Sequence, residues 1–111
     1  MLNDYTTAEP TRAELDAMQG AMLLEFGDAY CGYCRAAQPA IEKALADRPD
    51  VRHLKIADGR GRPLGRSFGV KLWPTLVFLM DGKEVERVVR PTSQQPLAQA
   101  LQALPETRNA A

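Results

Sequence analysis

Cys31 and Cys34 are the only cysteines in this chain, and Gly32-Tyr33 separates them. At this spacing two sulfurs can open and close a disulfide between them. The run Met22-Leu23-Leu24-Glu25-Phe26 before the pair reads as a buried strand, and Ala37, Ile41 and Leu45 after it recur at helical spacing. Cys31 is therefore expected where a strand ends and a helix begins. N–H groups in a first helical turn lack intrahelical acceptors and carry partial positive charge, which favours a sulfur anion there. That makes Cys31 the expected nucleophile and Cys34, one turn further in, the thiol that resolves the mixed disulfide. Tyr33, near the second helical position, offers an N–H that the Cys31 sulfur could accept.

Glu25 interrupts the apolar strand ahead of the cysteines. Desolvation would raise its pKa and suit it to take the Cys34 proton; a glutamate reaching solvent at a sheet edge is the competing reading. His53 reads first as a surface histidine and second as a group that tunes Glu25. Inert core cysteines or half a zinc site are the competing readings of the pair. A closed zinc site needs four ligands, usually Cys or His. Two cysteines and His53 do not supply them within one chain, so no metal is expected. A purely structural cross-link is disfavoured, because the closed loop is minimal.

These residues need a scaffold. Thr11 and Glu14 have capping-box spacing, opening a helix through Ala13, Leu15, Ala17 and Met18 that ends at Gly20. A strand follows over Ala21 to Phe26, and the helix after the cysteines is expected to kink at Pro39 and resume through Ala46. Val51 to Ile56 reads as a second strand. The turn-rich stretch from Asp58 to Pro63 leads into a short helix with Leu64 and Phe68, ended by Gly69. Pro74 opens a central strand over Thr75 to Met80, and Asp81-Gly82 turns it into an edge strand over Glu84 to Arg90, with Val85 and Val89 on one face. Ser93 is expected to cap a last helix whose stripe is Leu97, Leu101 and Leu104.

At 111 residues, 45% hydrophobic and 25% charged, the chain suits one domain over residues 1–105, with a frayed tail at 106–111. Fourteen basic and fourteen acidic residues cancel, so bulk charge favours neither nucleic acid nor an anionic membrane. Residues 1–9 carry no basic segment followed by an apolar run, which reads as a cytoplasmic protein; a removed leader would leave the same start. No apolar stretch is long enough to span a bilayer.

The order helix, strand, helix, strand, helix, hairpin, helix resembles the thioredoxin family over almost the whole chain, with CxxC opening the second helix and Trp73-Pro74-Thr75 opening the hairpin. Leu24-Glu25-Phe26, Pro39, Phe68-Gly69-Val70 and Asp81-Gly82 also fall where thioredoxins have counterparts. The resemblance implies an α/β, thioredoxin-like fold: a central mixed four- or five-stranded sheet flanked by helices on both faces, with Tyr5 to Thr7 available as the fifth strand. It implies a thiol-disulfide oxidoreductase that reduces protein disulfides, needs no cofactor beyond the Cys31–Cys34 pair and receives electrons from a partner reductase, acting as a monomer. It also implies a cis Trp73-Pro74 bond facing the cysteines, with Trp73 lining a substrate groove. Tyr30, Tyr33 and Trp73 would form an aromatic rim around Gly32, and Arg90, where thioredoxins commonly have a glycine near that groove, would add charge. Gly32-Tyr33, Tyr30 and Glu25 depart from the usual Gly-Pro, tryptophan and buried aspartate. Gly-Tyr also resembles the pair of bacterial disulfide isomerases, which are exported. An exported oxidase or isomerase, and a non-catalytic binding module, are the alternative functions.

Overall fold

Predominantly apolar runs suit strands covered on both faces, and two of them form the middle of the sheet. The structure, a computed structural model, describes residues 5–106. Strand β1 (Ala21–Gly27) is buried throughout. It pairs in parallel with β2 (Arg52–Ala57) and antiparallel with β3 (Thr75–Met80). The edge strand β4 (Lys83–Val89) completes a mixed four-stranded sheet in the order β2-β1-β3-β4.

Helices cover both faces. On one, Ala37, Ile41 and Ala44 of α2 (Gly32–Ala46) and Leu97 and Leu101 of α4 (Gln95–Leu101) pack against Leu23, Leu76 and Phe78. On the other, Leu15 of α1 (Arg12–Asp16) and Leu64 of α3 (Pro63–Ser67), with Phe68 capping α3, meet Leu24, Phe26 and Val77. Strand side chains alternate between faces, so Glu25 and Gly27 share the Leu23 face, beneath α2. The expected frayed tail lies outside the described residues, apart from Glu106.

Several expectations are corrected. Tyr5 to Thr7 make no fifth strand; Thr6 alone bridges to Ile56, its N–H donating to the Lys55 carbonyl (2.9 Å) and its carbonyl accepting from Ala57 (2.8 Å). The Thr11–Glu14 capping box is present, but α1 ends at Asp16, short of Gly20. Helix α2 is not interrupted at Pro39, which lies inside it and is exposed. Ser93 does not cap α4; Gln94 holds the N-cap position in a helical conformation, without a side-chain cap. Val85 and Val89 both stay exposed, because a register shift opposite Phe78/Leu79 disrupts the alternation of β4, and Val88 packs on the core instead.

Candidate active site

Cys31 is the N-cap of α2 and keeps an extended backbone conformation. Its Sγ accepts the Cys34 N–H at 3.2 Å. The donor is the third helical residue rather than Tyr33, since an N-cap side chain reaches either the second or the third N–H. Both cysteines are free thiols; Cys31 is partly exposed and Cys34 fully buried. Burial first, then the hydrogen bond to Cys31, push the Cys34 thiol up to about 12, against smaller lowering effects from the Asp28 backbone and the Tyr5 hydroxyl.

Beneath Cys34 lies a polar cluster. Glu25 is fully buried, so the solvent-edge reading fails. Its Oε1 lies 2.8 Å from His53 Nε2, and its Oε2 accepts from the Tyr5 hydroxyl and from Gln38 Nε2 (2.8 Å). Gln38, one turn beyond Cys34 on α2, also donates to the Cys34 carbonyl (2.9 Å) and accepts from Lys55 Nζ (3.0 Å). Lys55 is opposite Glu25 in the β1–β2 register, and its ammonium lies 4.6 Å from the centre of the Tyr5 ring.

The expected rise in the Glu25 pKa is corrected. Burial does push the carboxyl up, but hydrogen bonds from His53, Tyr5 and Gln38, with the His53 charge, outweigh it and hold Glu25 below the ordinary carboxylate value. His53, read first as a surface residue, is instead the partner of Glu25, with its side chain 25% exposed. Burial and the Glu25 charge together hold the Tyr5 phenol protonated far above the usual tyrosine range.

The other site residues gather at the same end of the sheet, because the antiparallel register sets Thr75 opposite Phe26 and so places Pro74 beside the end of β1. The Trp73-Pro74 bond is cis. Trp73 is partly buried and donates from Nε1 to Asp58 (2.9 Å). Asp58 approaches so closely that a Cβ on Gly65 would fall 2.1 Å from its Oδ1, which explains the glycine inside α3. Arg90 is more than a loose charge: its guanidinium stacks 4.0 Å from the centre of the Tyr33 ring and donates to the Trp73 carbonyl (2.8 Å). It thereby ties the start of α2 to the cis-proline loop. Gly32 and Tyr30 are exposed, Tyr30 almost completely at 89%. Beside Trp73 an open hollow of about 530 Å³ is lined by Arg60, Arg62, Arg66 and Lys71, so local positive charge exists that the neutral total conceals.

Sequence reasoning missed Tyr5, Gln38 and Lys55. Gln38 had a signal in its helical spacing from Cys34; Tyr5 had none beyond the glycine at position 27.

Two thiols at a helix start beside a cis-proline loop, on a mixed sheet with helices on both faces, define a thioredoxin-fold dithiol protein. The family model "Thioredoxin" matches residues 4–103, and the chain belongs to the thioredoxin family, whose members are thiol-disulfide oxidoreductases. The solved structure of reduced thioredoxin 2 from Pseudomonas aeruginosa PAO1 is 53% identical, with a TM-score of 0.84, covering 93% of this chain and 95% of that one. The thioredoxin of Chlamydia muridarum is 42% identical over 71 residues, 63% of this chain and 69% of that protein. Protein disulfide-isomerase A2 of Pongo abelii is 37% identical over 87 residues, 73% of this chain but 17% of that protein. Thioredoxins need no cofactor beyond the redox-active cysteine pair. Among the described residues no cluster of three His, Cys, Asp or Glu side chains could hold a metal, and no helix is long and apolar enough to cross a membrane.

Proposed function

We propose that this chain reduces protein disulfides in the cytoplasm, as a monomer formed by one domain over residues 1–105, with Cys31 as nucleophile and Cys34 as resolving thiol. The carrying observation is the asymmetry of the pair: Cys31 is partly exposed and accepts an N–H in the first helical turn, while Cys34 is buried and held as a thiol. The Cys31 thiolate attacks one sulfur of a substrate disulfide, and the other substrate sulfur leaves as a thiolate. Cys34 loses its proton, attacks Cys31 Sγ and releases the second substrate thiolate. Two electrons pass to the substrate, and a partner reductase returns them. Glu25 is the proton acceptor, while Tyr30, Gly32, Tyr33, Trp73, Pro74 and Arg90 contact the substrate chain. The thioredoxins of P. aeruginosa and C. muridarum support this reading above that of an isomerase.

Reduction of insulin by dithiothreitol tests it. The wild-type chain should accelerate the reaction, Cys31→Ser should abolish the acceleration, and Cys34→Ser should trap insulin on Cys31. Full turnover by Cys31→Ser would overturn the assignment. Equilibration with glutathione tests the direction: a potential less negative than that of the glutathione couple would make the chain an oxidant.

A further inference from the structure

The buried cluster holds a group that the two-cysteine scheme does not use. Tyr5 enters from outside the sheet, pinned by the Thr6 bridge to β2 and covered by the Lys55 ammonium. Its hydroxyl donates to Glu25 Oε2. It also lies on the Cys34 side of Gly27: a Cβ there would fall 2.6 Å from Cys34 Sγ and 2.8 Å from Tyr5 Oη. Only a residue without a side chain lets sulfur and phenol approach there. Glu25 Oε1 is engaged by His53, and Oε2 takes Tyr5 and Gln38. The phenol thus holds the carboxylate and flanks, beside Gly27, the same point as the reacting thiol.

We propose that Tyr5 is a further catalytic residue, whose phenol relays the Cys34 proton to Glu25 while Cys34 resolves the mixed disulfide. The proposal rests on the assignment of Cys34 as resolving thiol. Cys34 Sγ passes its proton to Tyr5 Oη as Tyr5 passes its own to Glu25 Oε2. The electron pair freed on Cys34 forms the bond to Cys31 Sγ, the bond between Cys31 and the substrate sulfur breaks, and that sulfur leaves as a thiolate. Glu25, held below the ordinary carboxylate value, carries the proton only transiently and passes it to solvent on the partly exposed His53 side. The relay moves the proton without admitting water to a buried sulfur.

The groups facing this proton path are Glu25 of β1, His53 and Lys55 of β2, and Cys34 of α2, with the Cys31 sulfur at the N-cap. Rapid mixing of the reduced chain with dithiobis-nitrobenzoate separates two events. A bimolecular first release reports attack by Cys31, and a unimolecular second release reports resolution by Cys34. The first release alone reads the Cys31 assignment, so failure of that reading shows in the wild type before any substitution. Tyr5→Phe keeps the ring under Lys55 and leaves Glu25 with His53 and Gln38, so the first release should be unchanged. The second should slow by about 100-fold at pH 7, the lower end of the usual range for a lost acid–base group. It should then climb about tenfold per pH unit toward the wild-type rate, as hydroxide replaces the relay. Glu25→Gln removes the last acceptor and should slow the same release, and the double variant should be no slower than the slower single variant. An unchanged second release in Tyr5→Phe, an unchanged pH profile, or effects of the two substitutions that multiply would overturn the proposal.

Discussion

The two ends of the Cys31-Gly32-Tyr33-Cys34 motif lie in opposite surroundings. Above it, Tyr30 and Tyr33 are exposed, Gly32 has open space around it, and Arg90 lies over an aromatic ring. Below it, Cys34, Tyr5, Glu25, Gln38 and Lys55 share one chain of hydrogen bonds and charge contacts, closed by His53. In the proposed function the upper side meets a variable protein segment, so single contacts there carry little. The lower side is a closed set of hydrogen bonds, so each partner constrains the next. Substitutions of similar size should therefore have very different consequences on the two sides.

The largest effect on stability should come from Glu25→Ala, which leaves Tyr5, Gln38 and His53 facing a buried cavity and costs about 3 kcal/mol by urea unfolding. The pH dependence follows from the sign of the shift. Glu25 is held below its unfolded value, so its contribution is complete above that value and is lost as pH falls through the folded one. The stability gap between the wild-type chain and Glu25→Gln should accordingly narrow below about pH 4.

Next come two glycines. Gly27→Ala drives a Cβ between Cys34 Sγ and Tyr5 Oη and should cost about 1–3 kcal/mol, because neither atom can retreat without breaking the cluster. Gly32→Ala has nothing within 4 Å of the new atom and should change stability by less than about 1 kcal/mol. Equal losses in thermal melts would erase the contrast between the two sides.

The apolar runs at Ala21–Gly27 and Thr75–Met80 were legible because burial on both faces leaves no polar alternation. The capping box was legible because its two hydrogen bonds are local. The family resemblance added the cis Trp73-Pro74 bond, which spacing alone does not reveal. The polar cluster was legible only in part. Glu25 stood out as a charge inside an apolar strand, but the direction of its pKa depended on His53, Tyr5 and Gln38, which approach it from three other segments. Tyr5 carried no periodic signal, since one bridge at Thr6 rather than a strand fixes its place. The Arg90 stack on Tyr33 likewise depends on a positive backbone φ of 52° that the residue type does not announce.

On the open side the effects should be small. Tyr33→Ala loses the stack with Arg90, worth about 0.5–1 kcal/mol, and should lower kcat/KM for insulin a few-fold. Tyr30→Ala, at a residue 89% exposed, should leave stability within about 0.5 kcal/mol of wild type and change only substrate turnover.

The contrast between the two sulfurs is tested most directly by their separate alkylation rates. The reduced wild-type chain would be treated with iodoacetamide at pH 7.5, and label at each cysteine followed by peptide mass spectrometry. A buried thiol at about 12 exposes almost no thiolate at this pH, so Cys31 should react at least about 1,000-fold faster than Cys34. Labelling of the two cysteines at comparable rates would contradict the account.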